Sequence, residues 1–283
     1  MNASTWICGP HTFRLERRPL VMGIVNVTPD SFSDGGQHAN TDAAVRHALK
    51  LAEDGADILD LGGESTRPGA EPVDAGEELA RVLPVIRELV RLTRVPLSID
   101  TMKADVAKAC LDAGAVIVND VSGLRDPAMV RVVQDSGAAA IAMHMRGTPQ
   151  TMQHDPQYAD VVAEVRSYFA ERLNTLVEAG IPAERIAFDP GIGFGKTQEH
   201  NMRLLAHLQG LNVGRPICLG VSRKGMLGIV TGRERNDRDP ATLAISCFAM
   251  ATSSAQIFRV HEVRNTVDAA KVWAALQVPQ MRS

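Results

Sequence analysis

The chain has 283 residues, a formal net charge of −3 and 45% hydrophobic residues. That length allows a single large barrel or two smaller domains, and the balanced charge provides no general basic field for nucleic acid or an anionic membrane. The four cysteines, Cys8, Cys110, Cys218 and Cys247, form no Cys-x-x-Cys pair, which argues against a zinc site or a disulfide framework and for a reducing compartment. No apolar run follows a basic start at the amino terminus, and none is long enough to span a bilayer, so a soluble cytoplasmic protein is expected.

In chain order, residues 1–19 read as a lead-in, with Arg14, Arg17 and Arg18 as a solvated face. The apolar run Leu20–Asn26 predicts a first strand ending in an amide. Thr28–Gly36 is polar and turn-rich, and a helix is expected over Thr41–Glu53 with Thr41 as cap. The same unit then recurs. Asp57–Leu61 predicts a strand, Gly62–Gly69 a loop and Gly76–Arg91 a helix. Pro96–Asp100 and Lys103–Asp112 follow, then Val116–Asp120 and Ala128–Asp135. Next come Ala138–Met143 and a helix from Tyr158 to Glu178. The sixth strand, Ile186–Phe188, runs into Asp189-Pro190-Gly191-Ile192-Gly193-Phe194-Gly195-Lys196, with a helix from about His200. Ile217–Val221 and Gln256–Val260 complete the strands. A helix lies near Ala241–Ala251 and a last one ends near Leu276.

Eight strand–helix alternations in about 260 residues predict a single (β/α)8 TIM barrel over 20–279. An open doubly wound sheet is the competitor, but no Gly-x-Gly-x-x-Gly follows the first strand. Gly195-Lys196-Thr197 looks like the end of a nucleotide-binding P-loop, but Pro190 stands where that motif needs its first glycine.

In a barrel the site lies at the carboxyl ends of the strands. Those ends carry Asn26, Asp60, Asp100, Asn119, Met143, Asp189, Ser222 and Arg259, a set polar at every position but Met143 that core packing does not explain. Asp100, Asn119 and Asp189 suit the amino-pyrimidinone edge of a flat heterocycle, because carboxylates accept while the amide both donates and accepts. Lys224 adds a donor for a ring carbonyl or nitrogen. Arg259 and His261 flank Val260, so both point the same way along a strand and could grip a phosphate. Asn26 offers a hard oxygen near Asp30 and Asp34, which suits magnesium held partly by a diphosphate. His144 has no metal-ligand spacing around it and reads as structural, and His200 and His207 read as parts of a helix.

Taken together, the segments Gly23–Gly36, Glu64–Ala70, Ser98–Thr101, Asn119–Gly123, Met143–Gly147, Asp189–Lys196, Ser222–Lys224 and Arg259–His261 resemble the dihydropteroate synthase family along nearly the whole chain. The resemblance implies condensation of 6-hydroxymethyl-7,8-dihydropterin diphosphate with 4-aminobenzoate to give 7,8-dihydropteroate and diphosphate. It implies Asp100, Asn119, Met143, Asp189 and Lys224 around the pterin. Asn26, Arg67, Arg259 and His261 would handle the diphosphate and Mg2+, and Phe32, Thr66, Arg67, Pro68, Phe194, Lys224 and Gly225 the aminobenzoate.

Many relatives carry serine where this chain has Gly225, so only a backbone N–H is expected there. The resemblance implies a dissociative mechanism; Asp34 in the first loop is the candidate for facing the cation, with Asn26, Asp100, Lys224 and Arg259 in supporting roles. The first two loops are expected to move, and diphosphate to bind before aminobenzoate. Family likeness and the apolar stretch Ala244–Ala251 also imply a homodimer. The competing readings are a pterin-binding methyltransferase barrel, which would not need Thr66-Arg67-Pro68 or Ser222-Arg223-Lys224, and a pterin-binding paralogue without turnover.

Overall fold

The structure, a computed structural model, describes residues 4–28, 37–65 and 71–277. It opens with an antiparallel hairpin, β1 (Thr5–Cys8) and β2 (His11–Arg14), in which Thr5 pairs with Arg14 and Cys8 with His11. The eight parallel strands that follow are β3 (Leu20–Asn26), β4 (Ile58–Gly62), β5 (Leu97–Asp100), β6 (Ile117–Asp120), β7 (Ala139–Met143), β8 (Ile186–Asp189), β9 (Cys218–Leu219) and β10 (Ile257–Val260). They run in the order β8-β7-β6-β5-β4-β3-β10-β9, and a bridge between Phe188 and Ile217 joins the two ends. The expected (β/α)8 barrel is the observed fold.

The helices are α1 (Gln37–Glu53), α2 (Ala75–Leu92), α3 (Ala104–Asp112), α4 (Pro127–Ser136), α5 (Val161–Glu178), α6 (Gln198–Ala206), α7 (Gly225–Thr231), α8 (Asp239–Ala251) and α9 (Val263–Gln277). Their starts follow ordinary capping chemistry. Asp74, Asp126 and Asp160 each accept a backbone N–H of the first turn, and Thr197 forms a reciprocal capping box with His200. Two starts differ from expectation. Thr41 lies inside α1, whose polar opening residues hid it from an apolar-periodicity reading, and α5 begins at Val161, where Asp160 caps it.

One core fills the layer between strands and helices, including the stacked pair Phe169 and Phe188 with ring centroids 4.6 Å apart. A second core lies inside the barrel near the strands' amino ends, where fully buried Trp6 and Cys8 meet Met22, Ile58, Ile117, Ala187 and Ile257. The hairpin therefore closes the barrel floor, and Trp6 Nε1 donates to Arg185 O at 3.1 Å. Burying a side chain of that size contributes about 1.5–3 kcal/mol. Arg18 is not a simple solvated residue: it forks onto Asp57, with Nη2 2.6 Å from Oδ1 and Nη1 2.8 Å from Oδ2. With the floor plugged, the open mouth is at the carboxyl ends.

Candidate active site

The strand ends converge as the register dictates. Asp100 pairs with Asn119 across β5 and β6, Met143 with Asp189 across β7 and β8, and Asn26 with Gly62 across β3 and β4. β4 continues through Gly62, so Asp60 sits two residues deeper than a strand end and is fully buried. Arg259 on β10 reaches across to it: Nε lies 2.5 Å from Asp60 Oδ2, and Nη2 lies 2.6 Å from Asp100 Oδ2. Asn119 Nδ2 also donates to Asp60 Oδ2, at 3.1 Å. Asp60 Oδ1 and Asp100 Oδ1 are buried without a partner among the described residues. An acceptor left so costs stability and marks a place where a ligand donor would fit.

Asp189 presents its two oxygens differently. Oδ1 accepts the Gly191 N–H at 2.7 Å, while Oδ2 faces Gly220, where a Cβ would stand 3.4 Å away. Lys224 Nζ lies 4.7 Å from the centre of the Phe194 ring and donates to Ile192 O. Met143 is buried with Val121, Met145 and Met152, and Phe194 packs at the edge of that cluster. Asp189, Lys224, Phe194 and Met143 thus meet at one side of the mouth.

Burial shifts these groups. It raises the Asp100 carboxyl to about 7, opposed by Arg259 and reinforced by Asp60, Glu78 and Asp120. It raises Asp189 too, against the pull of Lys224 and the Gly191 N–H. It lowers Lys224 to about 8, with Asp189 opposing. Burial also works to lower Arg259, but Asp60 and Asp100 outweigh it and hold the guanidinium above its ordinary value. The mouth carries one firmly charged cation, Arg259, beside Asp100, whose carboxyl exchanges its proton near neutrality.

Ser222 and His261 are brought together, with Ser222 Oγ 2.8 Å from His261 Nδ1 and accepting the His261 N–H at 3.1 Å. Between Ser222 and Lys224, Arg223 adopts a left-handed backbone with φ of 58°. That turn is braced by a fork onto Asp239, with Nε 2.8 Å from Oδ1 and Nη2 2.7 Å from Oδ2, and by Arg223 N–H donating to Thr242 Oγ1 at 3.2 Å. A strained non-glycine residue at a site needs such over-determination. Gly225 opens α7 with no atom within 4 Å of a would-be Cβ, so the glycine answers no steric demand.

Asn26 stands half-buried at the end of β3, while Phe32, Asp34, Thr66, Arg67 and Pro68, as well as Asp30, lie outside the described residues. Among the described residues, no three His, Cys, Asp or Glu side chains gather to hold a metal ion, and no helix is long and apolar enough to cross a membrane. His144 is structural: it is buried, its ring edge meets Tyr168 with centroids 4.9 Å apart, and burial lowers its pKa to about 2. Asp60, Arg223 and Lys196 are the residues that sequence reasoning undervalued. Asp60 carried a signal of its own, a carboxylate within an apolar strand, whereas Arg223 and Lys196 stood only as members of longer segments.

Residues 22–261 match the model of the family described as pterin binding enzyme. Dihydropteroate synthase of Escherichia coli (strain K12) is 44% identical over 255 residues, 90% of each chain. The structure of Xanthomonas albilineans dihydropteroate synthase with 4-aminobenzoic acid superposes with a TM-score of 0.90 at 48% identity, covering 98% of this chain and 99% of that one. The Burkholderia cenocepacia enzyme complexed with 7,8-dihydropteroate gives a TM-score of 0.89 at 44% identity over 100% of both chains. With its barrel, its strand-end acids and these relatives along its length, the chain belongs to the dihydropteroate synthase family of pterin-binding enzymes.

Proposed function

We propose that the chain joins 6-hydroxymethyl-7,8-dihydropterin diphosphate to 4-aminobenzoate, releasing 7,8-dihydropteroate and diphosphate. The partnerless Asp100 Oδ1, beside Asn119 and across from Asp189, carries this reading: a pterin ring offers donors of the kind these buried acceptors lack. Asp100, Asn119 and Asp189 hold the ring edge, Met143 packs on its face and Lys224 donates to it. Two nitrogens of Arg259 are committed to carboxylates. The third can meet the diphosphate, together with His261, Asn26 and Arg67. Phe194, Lys224 and the Gly225 backbone form the described part of the aminobenzoate site, and Phe32, Thr66, Arg67 and Pro68 its remainder.

The reaction these groups favour is dissociative. The C–O bond to diphosphate breaks and its electron pair leaves with the oxygen. The arylamine nitrogen gives its lone pair to the methylene carbon, and the extra proton on nitrogen passes to water. The fixed charge of Arg259 stabilises the departing anion, and Asp34 is assigned to the cation. Asn26 would offer one hard oxygen to a magnesium ion at the mouth, where the diphosphate would have to help hold it. Such an ion supplies charge neutralisation for the leaving group.

The decisive assay is diphosphate release in the presence of both substrates and of each alone. Release that depends on both supports the reading, and release without 4-aminobenzoate replaces it with a hydrolase. Binding is ordered in this scheme. Labelled 4-aminobenzoate should bind measurably only with magnesium diphosphate and a pterin present, and equal affinity without them would count against that order.

A further inference from the structure

The loop after β8 is short, glycine-rich and reads as free backbone, yet its carbonyl oxygens are occupied one after another. Gly191 O accepts from Lys196 Nζ at 3.0 Å, and Ile192 O from Lys224 Nζ. Gly193 O accepts from Gln153 Nε2 at 2.9 Å, Phe194 O from Lys196 Nζ at 2.9 Å, and Gly195 O from the Tyr158 hydroxyl at 3.0 Å. Five consecutive carbonyls are therefore each met by a side chain, and one side chain, Lys196, meets two of them.

Lys196 is 3% exposed. Its ammonium also lies 3.0 Å from His144 Nδ1 and 3.3 Å from His144 O, which ties the loop to the end of β7. The backbones are in close contact there, since a Cβ on Gly191, whose φ is 63°, would fall 2.0 Å from His144 O. Burial lowers this lysine to about 7, yet in either protonation state its nitrogen brings two or three N–H donors to the cradle, and no apolar side chain of similar length can replace them. Burying a lysine in such a place is costly, and nothing in the P-loop resemblance of Gly195-Lys196-Thr197 accounts for it.

We propose that Lys196 is a positioning residue for the condensation, fixing the loop that presents Phe194 to the aminobenzoate and offers Ile192 O to Lys224. This rests on the dihydropteroate synthase reading of the site. The pterin acceptors Asp100, Asn119 and Asp189 stand on barrel strands whose ladders do not involve Lys196, and the Asp189 carbonyl is held by His144 N–H at 2.9 Å. The backbone of Phe194 belongs to the loop itself, and its ring packs only at the edge of the Met143 cluster, beside Lys224 Nζ. Loosening the loop therefore acts on the second substrate before the first.

The test compares the parent with Lys196→Met, which keeps the length and removes the donors, and with Tyr158→Phe, which removes only the bond to Gly195 O from a half-buried position. In Lys196→Met the KM for 4-aminobenzoate should rise about tenfold or more, with pterin affinity by calorimetry within about threefold of the parent. Tyr158→Phe should shift KM in the same direction by a smaller factor and keeps the test informative if Lys196→Met fails to fold.

Amide hydrogen exchange gives a readout independent of turnover. The amides of 191–196 should exchange faster in the variants while those of β5 to β8 hold. A KM for 4-aminobenzoate unchanged in the folded variants, a pterin affinity that falls in step with it, or loop amides as protected as in the parent would each overturn the proposal. Failure of the parent to form dihydropteroate would instead overturn the functional reading, and the exchange data would still decide whether Lys196 holds the loop.

Discussion

Arg259 Nε lies 2.5 Å from Asp60 Oδ2, and that pair ties β10 to β4 across the barrel interior. Asp60 is wholly buried and the Arg259 side chain is 20% exposed, so the guanidinium depends on this carboxylate and on Asp100 for compensation. Removing one member of a buried pair leaves an uncompensated charge, a loss of about 3–5 kcal/mol. Asp60→Asn should therefore lower the unfolding free energy by an amount near the bottom of that range, since the amide still fills the space and can accept one bond. Urea unfolding measures it. A midpoint equal to the parent's would show that Arg259 is held by Asp100 alone.

Asp189→Asn tests the pterin pocket. The carboxylate uses Oδ1 on the Gly191 N–H and turns Oδ2 toward Gly220. A charge-assisted bond to a ring donor lost there costs about 1.5–3 kcal/mol, or about 10- to 150-fold in affinity. Calorimetry with a pterin should show that drop with the melting temperature little changed. Unchanged affinity would remove Asp189 from the pocket.

Asp100, Asn119 and Asp189 were readable as candidate site residues because each polar group lies at the end of an apolar run, where packing gives no reason for it. The barrel was readable because eight such runs alternate with helical patterns. Asp60 was seen as a strand-end acid, but its tie to Arg259 spans 199 positions, and no local pattern carries so distant a contact. Lys196 was obscured by a motif that it only resembles. The hairpin of β1 and β2 went unnoticed because four-residue strands ending in turns and arginines show too little alternation to stand out. Similarly, α7 has glycine at 225 and 228, which weakens any helical signal, and its start is set by the braced turn at Arg223.

The pH dependence follows from Asp100. Its carboxyl is raised from 3.8 to about 7, first by burial and then by neighbouring carboxylates, with Arg259 opposing. Between those two values the folded protein keeps a proton that the unfolded chain has released. The contribution of this group to stability therefore falls as pH rises through that window and is level above it. Pterin binding should move the other way: the ring's donors need the ionised carboxylate, so affinity should rise as pH passes through about 7. Asp100→Asn should bind weakly and lose that rise. A parent affinity flat across the window would show that Asp100 is already ionised.

The helix α8 buries Thr242, Ser246, Ala249 and Met250 toward the barrel and leaves the large apolar Phe248 50% exposed. Its neighbours on either side, α7 and α9, expose Ile229, Val230, Val272 and Leu276. A second copy of the chain covering this face is the proposed occupant, because self-association removes the apolar surface from water. The parent should then sediment as a dimer at micromolar concentrations and Phe248→Glu as a monomer. A monomeric parent would end the homodimer proposal.

The stem of the second loop offers the last test. Lys103 Nζ stands between Glu64 Oε2 at 2.7 Å and Glu78 Oε2 at 2.6 Å, and Glu64 Oε1 accepts the Val73 N–H at 3.2 Å. Residues 64 and 73 flank the segment 66–70, which lies outside the described residues, so one lysine ties both sides of the loop's stem to α2 and to the turn after Asp100. Glu78 is fully buried and its Oε1 has no partner among the described residues, so Lys103 is the principal compensation for its charge. Burial acts to lower the Lys103 pKa, but Glu64 and Glu78 together raise it, so the lysine stays charged through neutral pH. Lys103→Met removes the cation and leaves Glu78 buried and unpaired, which should cost about 3–5 kcal/mol at neutral pH. Lys103→Met combined with Glu78→Gln should recover much of that loss, because the second change removes the stranded charge. If the double variant is no more stable than Lys103→Met, the destabilisation comes from lost packing of the lysine stem and not from the charge. A rise in KM for 4-aminobenzoate that persists in the double variant would then show that the clamp also positions the loop, since Glu64 would have lost its cation in both.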